Sequence, residues 1–176
     1  MKEFYIEYDQ SKLNETCAPI DLRDRDLIIQ IYDLLRNTLL WLGGGAGLAA
    51  PQIDISKQVF IWAKNRDMNN IQLALNPSIE PEIESGTVES LEGCFSLPQK
   101  FFHIERYKKI YFDYFDINGK KISRIVEGFE AVILQHEYDH INKNILSNKG
   151  KLFKSFNNLR EHQEFLENYR KISNYA

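Results

Sequence analysis

The sequence predicts an α+β fold, on three observations. An apolar stripe at helical spacing lies near the start, short strand-like runs bounded by turn residues fill the middle, and two helical stretches close the chain. Strands and helices do not alternate regularly, which argues against a parallel, doubly wound sheet. The length of 176 residues suits one domain, 1–176, with a sizeable core.

The first helix is expected over Asp21–Leu42, where Leu27, Ile31, Leu34, Leu35, Thr38, Leu39 and Leu42 recur on one face. Gly43-Gly44-Gly45 should stop it, because glycine resists continuing a helix. Gln58–Trp62 and Gln72–Leu75 read as short strands, with turns at Asn76-Pro77-Ser78 and Ser85-Gly86-Thr87. Leu91–Pro98 reads as an irregular piece. Lys109–Phe115 and Lys121–Val126 flank Asp116-Ile117-Asn118-Gly119, a hairpin with Asn-Gly as its turn signal. A second helix is expected over Glu127–Asn142. A third runs from Asn157 or Asn158 to about Ser173, with Leu159, Leu166, Tyr169 and Ile172 on one stripe.

Composition is that of an ordinary globular protein, 43% hydrophobic and 27% charged. A net charge of −3 gives no electrostatic case for a nucleic-acid partner. The start, MKEFYIEYDQSKLNE, has neither the apolar centre of a signal peptide nor the Arg-rich, acid-poor look of a transit peptide. No apolar run approaches the ~20 residues that span a bilayer, so no membrane partner and a cytoplasmic location are expected. Cys17 and Cys94 are too few for a disulfide framework.

The stretch Val132–Ile141, VILQHEYDHI, carries the chemistry. Residues i and i+4 of a helix share a face, so His136 and His140 can converge on one cation. Glu137 projects about 100° round the axis, beside that cation, where it can handle a proton. Phe129, Val132, Ile133, His136 and His140 form one stripe, which a solvated helix would not bury. The competing reading is two satisfied core histidines. Three protein ligands with an open fourth position make a catalytic metal site, so the third ligand decides the chemistry. A metzincin-like continuation fails, since Lys143 and Leu146 hold the positions needed for glycine and histidine. A thermolysin-like glutamate is available in Glu161 or Glu164, and Cys94, in a Gly/Ser/Pro-bounded segment, is the other candidate.

Three segments together resemble the signature segments of peptide deformylase, in the family's order and at similar spacing. They are Gly45-Ala46-Gly47-Leu48-Ala49-Ala50-Pro51-Gln52, Glu92-Gly93-Cys94-Phe95-Ser96-Leu97-Pro98 and Gln135-His136-Glu137-Tyr138-Asp139-His140. The resemblance implies antiparallel sheets packed around a central HExxH helix, with an N-terminal and a C-terminal helix. It implies removal of the formyl group from the N-terminal formylmethionine of newly made proteins, with N-formylmethionyl peptides and nascent chains as partners and a monomer as the working form. Cys94, His136 and His140 would bind Fe(II), although zinc or another divalent metal can occupy such a site. Glu137 would carry the proton, and the Gln52 amide and Phe95 backbone N–H would stabilise the developing oxyanion. Gly45, Gly47 and Gly93 would meet the peptide backbone, Gly45 and Gly47 letting it pair as an added strand. Ala46, Phe129, Val132 and Ile133 would line the methionine pocket. Glu92 and Arg106 would form an ion pair behind the metal loop.

The chain departs from the family pattern at several places. Phe95 stands where leucine is usual, Ala46 replaces a larger aliphatic, Ser90 replaces an apolar pocket residue, and Phe101 stands where many bacterial members carry a basic residue. Lys143 and Asn148 hold positions usually glycine and acidic. Two rival functions remain: a thermolysin-like zinc protease using Glu161 or Glu164, and a non-catalytic peptide-binding module on the same fold.

Overall fold

A one-turn helix, α1 (Gln10–Leu13), precedes the first long helix, α2 (Arg25–Trp41). Asp24 sets the start of α2 by accepting the Leu27 N–H at 3.1 Å. The expected start at Asp21 is four residues early, because Asp21 instead folds onto the backbone and guanidinium of Arg23. At the far end Gly43 and Gly44 take φ of 86° and 83° and return their N–H groups to Leu40 and Leu39. The glycine stop is therefore as expected. Ile28, Ile31, Leu35 and Leu39 of α2 are buried; at ~1.5–3 kcal/mol each, that face fixes the helix to the sheet. The computed structural model describes residues 4–172, and side chains as far as residue 168.

Five antiparallel strands form the larger sheet: β1 (Gly47–Ala49), β2 (Val59–Ala63), β3 (Ile71–Pro81), β6 (Lys109–Phe115) and β7 (Lys121–Glu127), in that spatial order. The smaller sheet has the order β4 (Thr87–Cys94), β5 (Leu97–Tyr107), β8 (Lys151–Ser155). The β6–β7 hairpin is as expected, closed by Asp116, which accepts the N–H groups of Asn118 and Lys120, and by Gly119 at φ 76°.

Two further expectations need correction. Asn76-Pro77-Ser78 is not a turn but an irregularity inside β3, where the register shifts between Leu75 and Ser78. The Asn76 amide ties both the N–H and the C=O of Ile20, at 2.8 and 2.9 Å, so the strand kinks at φ 47° and continues. Leu91–Pro98 is strand for most of its length, and its irregularity is confined to a register shift between Gly93 and Cys94. It is the tip of the β4–β5 hairpin, with Phe95-Ser96 as a two-residue turn and Cys94 paired with Leu97. Its inner face serves a groove rather than a core, so the alternation that marks a strand is weak there.

The central helix α3 (Gly128–Ile141) lies between the sheets. Ala131, Ile133, Leu134 and Ile141 pack on Phe60, Trp62, Ala74 and Phe112 of the larger sheet. Gln135 clamps α3 to the other sheet, bonding the backbone N–H and C=O of Tyr107 at 2.9 Å each. A short helix, α4 (Leu146–Lys149), follows, and α5 (Leu159–Ile172) ends the described chain. The side chains of Tyr169 and Ile172, and Ser173, lie outside the described residues.

Candidate metal centre and groove

Burial on both sides leaves α3 no solvent-facing stripe, so its polar residues must be satisfied inside the protein. His136 is held by Glu92, whose Oε2 lies 2.8 Å from Nδ1, which turns Nε2 toward the hairpin tip. There Cys94 Sγ lies 3.4 Å from His140 Nε2. The ligand atoms of Cys94, His136 and His140 all fall within 4.8 Å of one another. One thiol and two imidazoles, with no carboxylate among them, suit zinc or ferrous iron and not calcium or magnesium.

A chain of charges stands behind these three. Arg106 donates to both oxygens of Glu92, at 2.9 and 2.8 Å, and to Asp139 at 2.5 Å. Lys149 completes it, 2.6 Å from the other Asp139 oxygen. Burial pushes the Glu92 carboxyl upward, but Arg106 and His136 outweigh that and bring it to about 2. Burial also disfavours a charged His136, yet its contacts with Cys94 and Glu92 hold its pKa well above the ordinary value. His140, buried beside His136, is pushed well below it. The two cysteines differ in kind. Cys17 is sealed in the core, where burial raises its thiol to about 11, whereas Cys94 is half-buried at the hairpin tip.

Gln52 reaches the same place from the opposite side. Pro51 helps to form a short 3-10 turn over Ala50–Ile53, and the Gln52 Oε1 accepts the Ala49 N–H at 2.9 Å. That bond fixes the amide, so Nε2 faces Cys94 Sγ at 3.4 Å and Ser96 Oγ at 3.2 Å. Glu137 is 4% exposed, and its Oε2 is buried with no hydrogen-bond partner among the described residues. Its other oxygen abuts Gly47, where an added Cβ would sit 2.5 Å away. Any larger residue at 47 would push the Glu137 side chain out of this position, a constraint the sequence did not disclose.

These groups sit at a groove of about 1170 Å³. Gly45, Ala46, Gly47, Gln52, Gly93, Cys94, Phe95, Phe129, Val132, Ile133, His136 and Glu137 all line it, while His140 lies deeper. Phe95 covers Gly45, where a Cβ would fall 2.9 Å from its ring. Ser96, Asp139 and Lys149 were missed by sequence reasoning. Asp139 carried a signal, as the acid inside the HEYDH motif; Lys149 carried none. Glu161 and Glu164, the thermolysin-like candidates, are exposed on α5 and bonded to Asn158 and Arg160.

Paired histidines on a buried helix, a facing thiol and an unpartnered acid beside them define a metal-dependent hydrolase. The chain belongs to the polypeptide deformylase family, whose model matches residues 4–154. It is 35% identical over 174 residues to "Peptide deformylase 2" of Rickettsia conorii, covering 90% of this chain and 79% of that one. It is 32% identical to the peptide deformylase of Stutzerimonas stutzeri, covering 84% and 82%. Among solved structures, the peptide deformylase of Thermotoga maritima superposes with a TM-score of 0.75 at 30% identity, covering 85% of this chain and 98% of that one. The class I type b enzyme of Acinetobacter baumannii bound to Met-Ala-Ser gives 0.74 at 28% identity, covering 85% and 99%. The activity is removal of the N-formyl group from nascent polypeptides by a metal-dependent hydrolase. No helix among the described residues is long and apolar enough to cross a membrane.

Proposed function

We propose that this chain, as a single domain over 1–176 and a cytoplasmic monomer, hydrolyses the formyl group of N-formylmethionyl peptides with Fe(II) held by Cys94, His136 and His140. The observation that carries the proposal is the convergence of those three ligands with Glu137 at the groove. Donor chemistry admits zinc and iron alike; the choice of iron rests on family resemblance. The bound metal supplies Lewis-acid activation of water and of the formyl oxygen.

The chain's own residues do the rest. Glu137 takes the proton of the attacking water and delivers it to the departing amine. The Gln52 amide, pinned by Ala49, and the Phe95 backbone N–H donate to the oxygen that gains charge; such a donor is worth about 2.7–4 kcal/mol of barrier. Glu92 orients His136. Gly45, Gly47 and Gly93 admit the substrate backbone as an added strand. Ala46, Phe129, Val132 and Ile133 enclose the methionine side chain. Neither a nucleic acid nor a membrane is a partner.

The test is turnover of formyl-Met-Ala-Ser by anaerobically purified protein, with metal analysis of the same sample. Iron near stoichiometry and activity that falls when zinc replaces it are expected. Stoichiometric metal without formate release would overturn the catalytic reading in favour of a peptide-binding module. Equal activity with zinc would overturn the choice of iron.

A further inference from the structure

The C-terminal helix α5 lies beyond the residues matched by the family model and is tied to the groove through Phe101. That ring is 6% exposed. The rings of Phe165, His162 and Phe156 surround it, with centroids 5.0, 5.6 and 6.1 Å away. On its other side Phe101 rests on Gly93, where a Cβ would meet the ring at 3.1 Å. A chain of contacts therefore runs from α5 through Phe101 to the strand residue next to Cys94. Leu159, His162 and Leu166 recur at i, i+3 and i+7, one helix face, and all three line the groove. Leu159 is 64% exposed, so this apolar face is not consumed by core packing.

The size of the groove bears on the occupant. At about 1170 Å³ it exceeds the ~300–1,000 Å³ of ordinary small-ligand sites, so it holds more than one methionine side chain. The occupant continuous with the catalytic end is the substrate peptide itself. We infer that Leu159, His162 and Leu166 form a third wall of the groove, one that contacts the side chains following the formylated residue and favours apolar ones. Phe101 is the aromatic anchor that holds this wall against the strand. The inference rests on the deformylase reading and adds a specificity-determining element to it.

The test uses the full chain and two substrates, formyl-Met-Ala-Ala and formyl-Met-Leu-Leu. The wild-type protein should prefer the leucine peptide in kcat/KM. In Leu159→Ser and Leu166→Ser the leucine-to-alanine ratio should fall, by about 5-fold when the two are combined. Leu159 is exposed enough that its replacement leaves packing intact, which keeps the result interpretable if Leu166→Ser folds poorly. An unchanged ratio in Leu159→Ser, or an equal rise for both peptides as α5 loosens, would overturn the wall. Calorimetric binding of the product peptides Met-Ala-Ala and Met-Leu-Leu reads the same ratio without turnover. Absent formate release therefore counts against the function alone, and a flat binding ratio counts against the wall alone.

Discussion

Glu137 is an acid placed where water does not stabilise its charge. Burial, helped by the Glu92 carboxylate and opposed by His136 and Arg106, raises its carboxyl to about 7. A group with that affinity can both accept and return a proton near neutral pH. Glu137→Gln should therefore retain metal and product peptide while turnover falls by about 10²–10⁴-fold. Loss of metal from that variant would make Glu137 a ligand. Gly47→Ala tests the placement of the same acid. Its methyl group would collide with Oε1, so kcat should drop by at least ~10-fold with little change in thermal stability. Cys94→Ser replaces a soft thiolate with a poor ligand and should lose most bound metal, whereas Cys17→Ser should not. Metal analysis of the two variants side by side separates the ligand from the core cysteine.

At the scale of elements, the β4–β5 hairpin and α3 are joined by the Gln135 amide and by a buried group of charges. Glu92, Arg106 and Asp139 are all buried, and Arg106 bridges both acids. Arg106→Met would strand two carboxylates without their shared cation, at ~3–5 kcal/mol, or about 10 °C in Tm. Lys149 is 41% exposed at its side chain, and Lys149→Met should cost under ~1 kcal/mol. Thermal melts that ranked the two alike would show that the bridge acts as packing. This junction also marks the limit of sequence reading. The helical stripes of α2 and α3 and the Asn-Gly hairpin were legible because each follows from local periodicity or turn chemistry. The ligand set became legible only when three distant segments were taken together. Strand β4 was not legible, because a strand that lines a groove carries Glu92 and Cys94 where alternation would place apolar residues. The contacts of Gly47 with Glu137 and of Phe101 with α5 join residues 60 or more apart in sequence, which no local pattern encodes.

Across the whole molecule, the N-terminal segment closes the back of the site. The Glu7 N–H donates to the Gln52 C=O at 2.8 Å, directly behind the proposed oxyanion donor. Gln10 and Asn14 reach Ser147 and Asn148, joining the first residues to the exit from the central helix. Glu7 itself is 4% exposed and accepts from the Asp9 N–H, the Tyr5 hydroxyl and Lys12, at 2.9, 2.8 and 2.9 Å. Burial pushes its carboxyl upward, but these donors, Lys12 foremost, outweigh burial and bring it down to about 2 from 4.5. Because the folded pKa lies below the unfolded one, the stabilisation is complete above about pH 4.5 and is lost as pH falls toward 2. Glu7→Gln keeps the shape and removes the charge. At pH 7 it should lower stability by about 1–3 kcal/mol, the range of charge-assisted hydrogen bonds, with Lys12's exposure favouring the lower end. Urea midpoints of wild type and variant should differ most at pH 7, and the gap should narrow at pH 4 and again at pH 3. A gap that stays constant with pH would show that Glu7 holds the N-terminal segment by shape alone, and that its charge contributes nothing to closing the site.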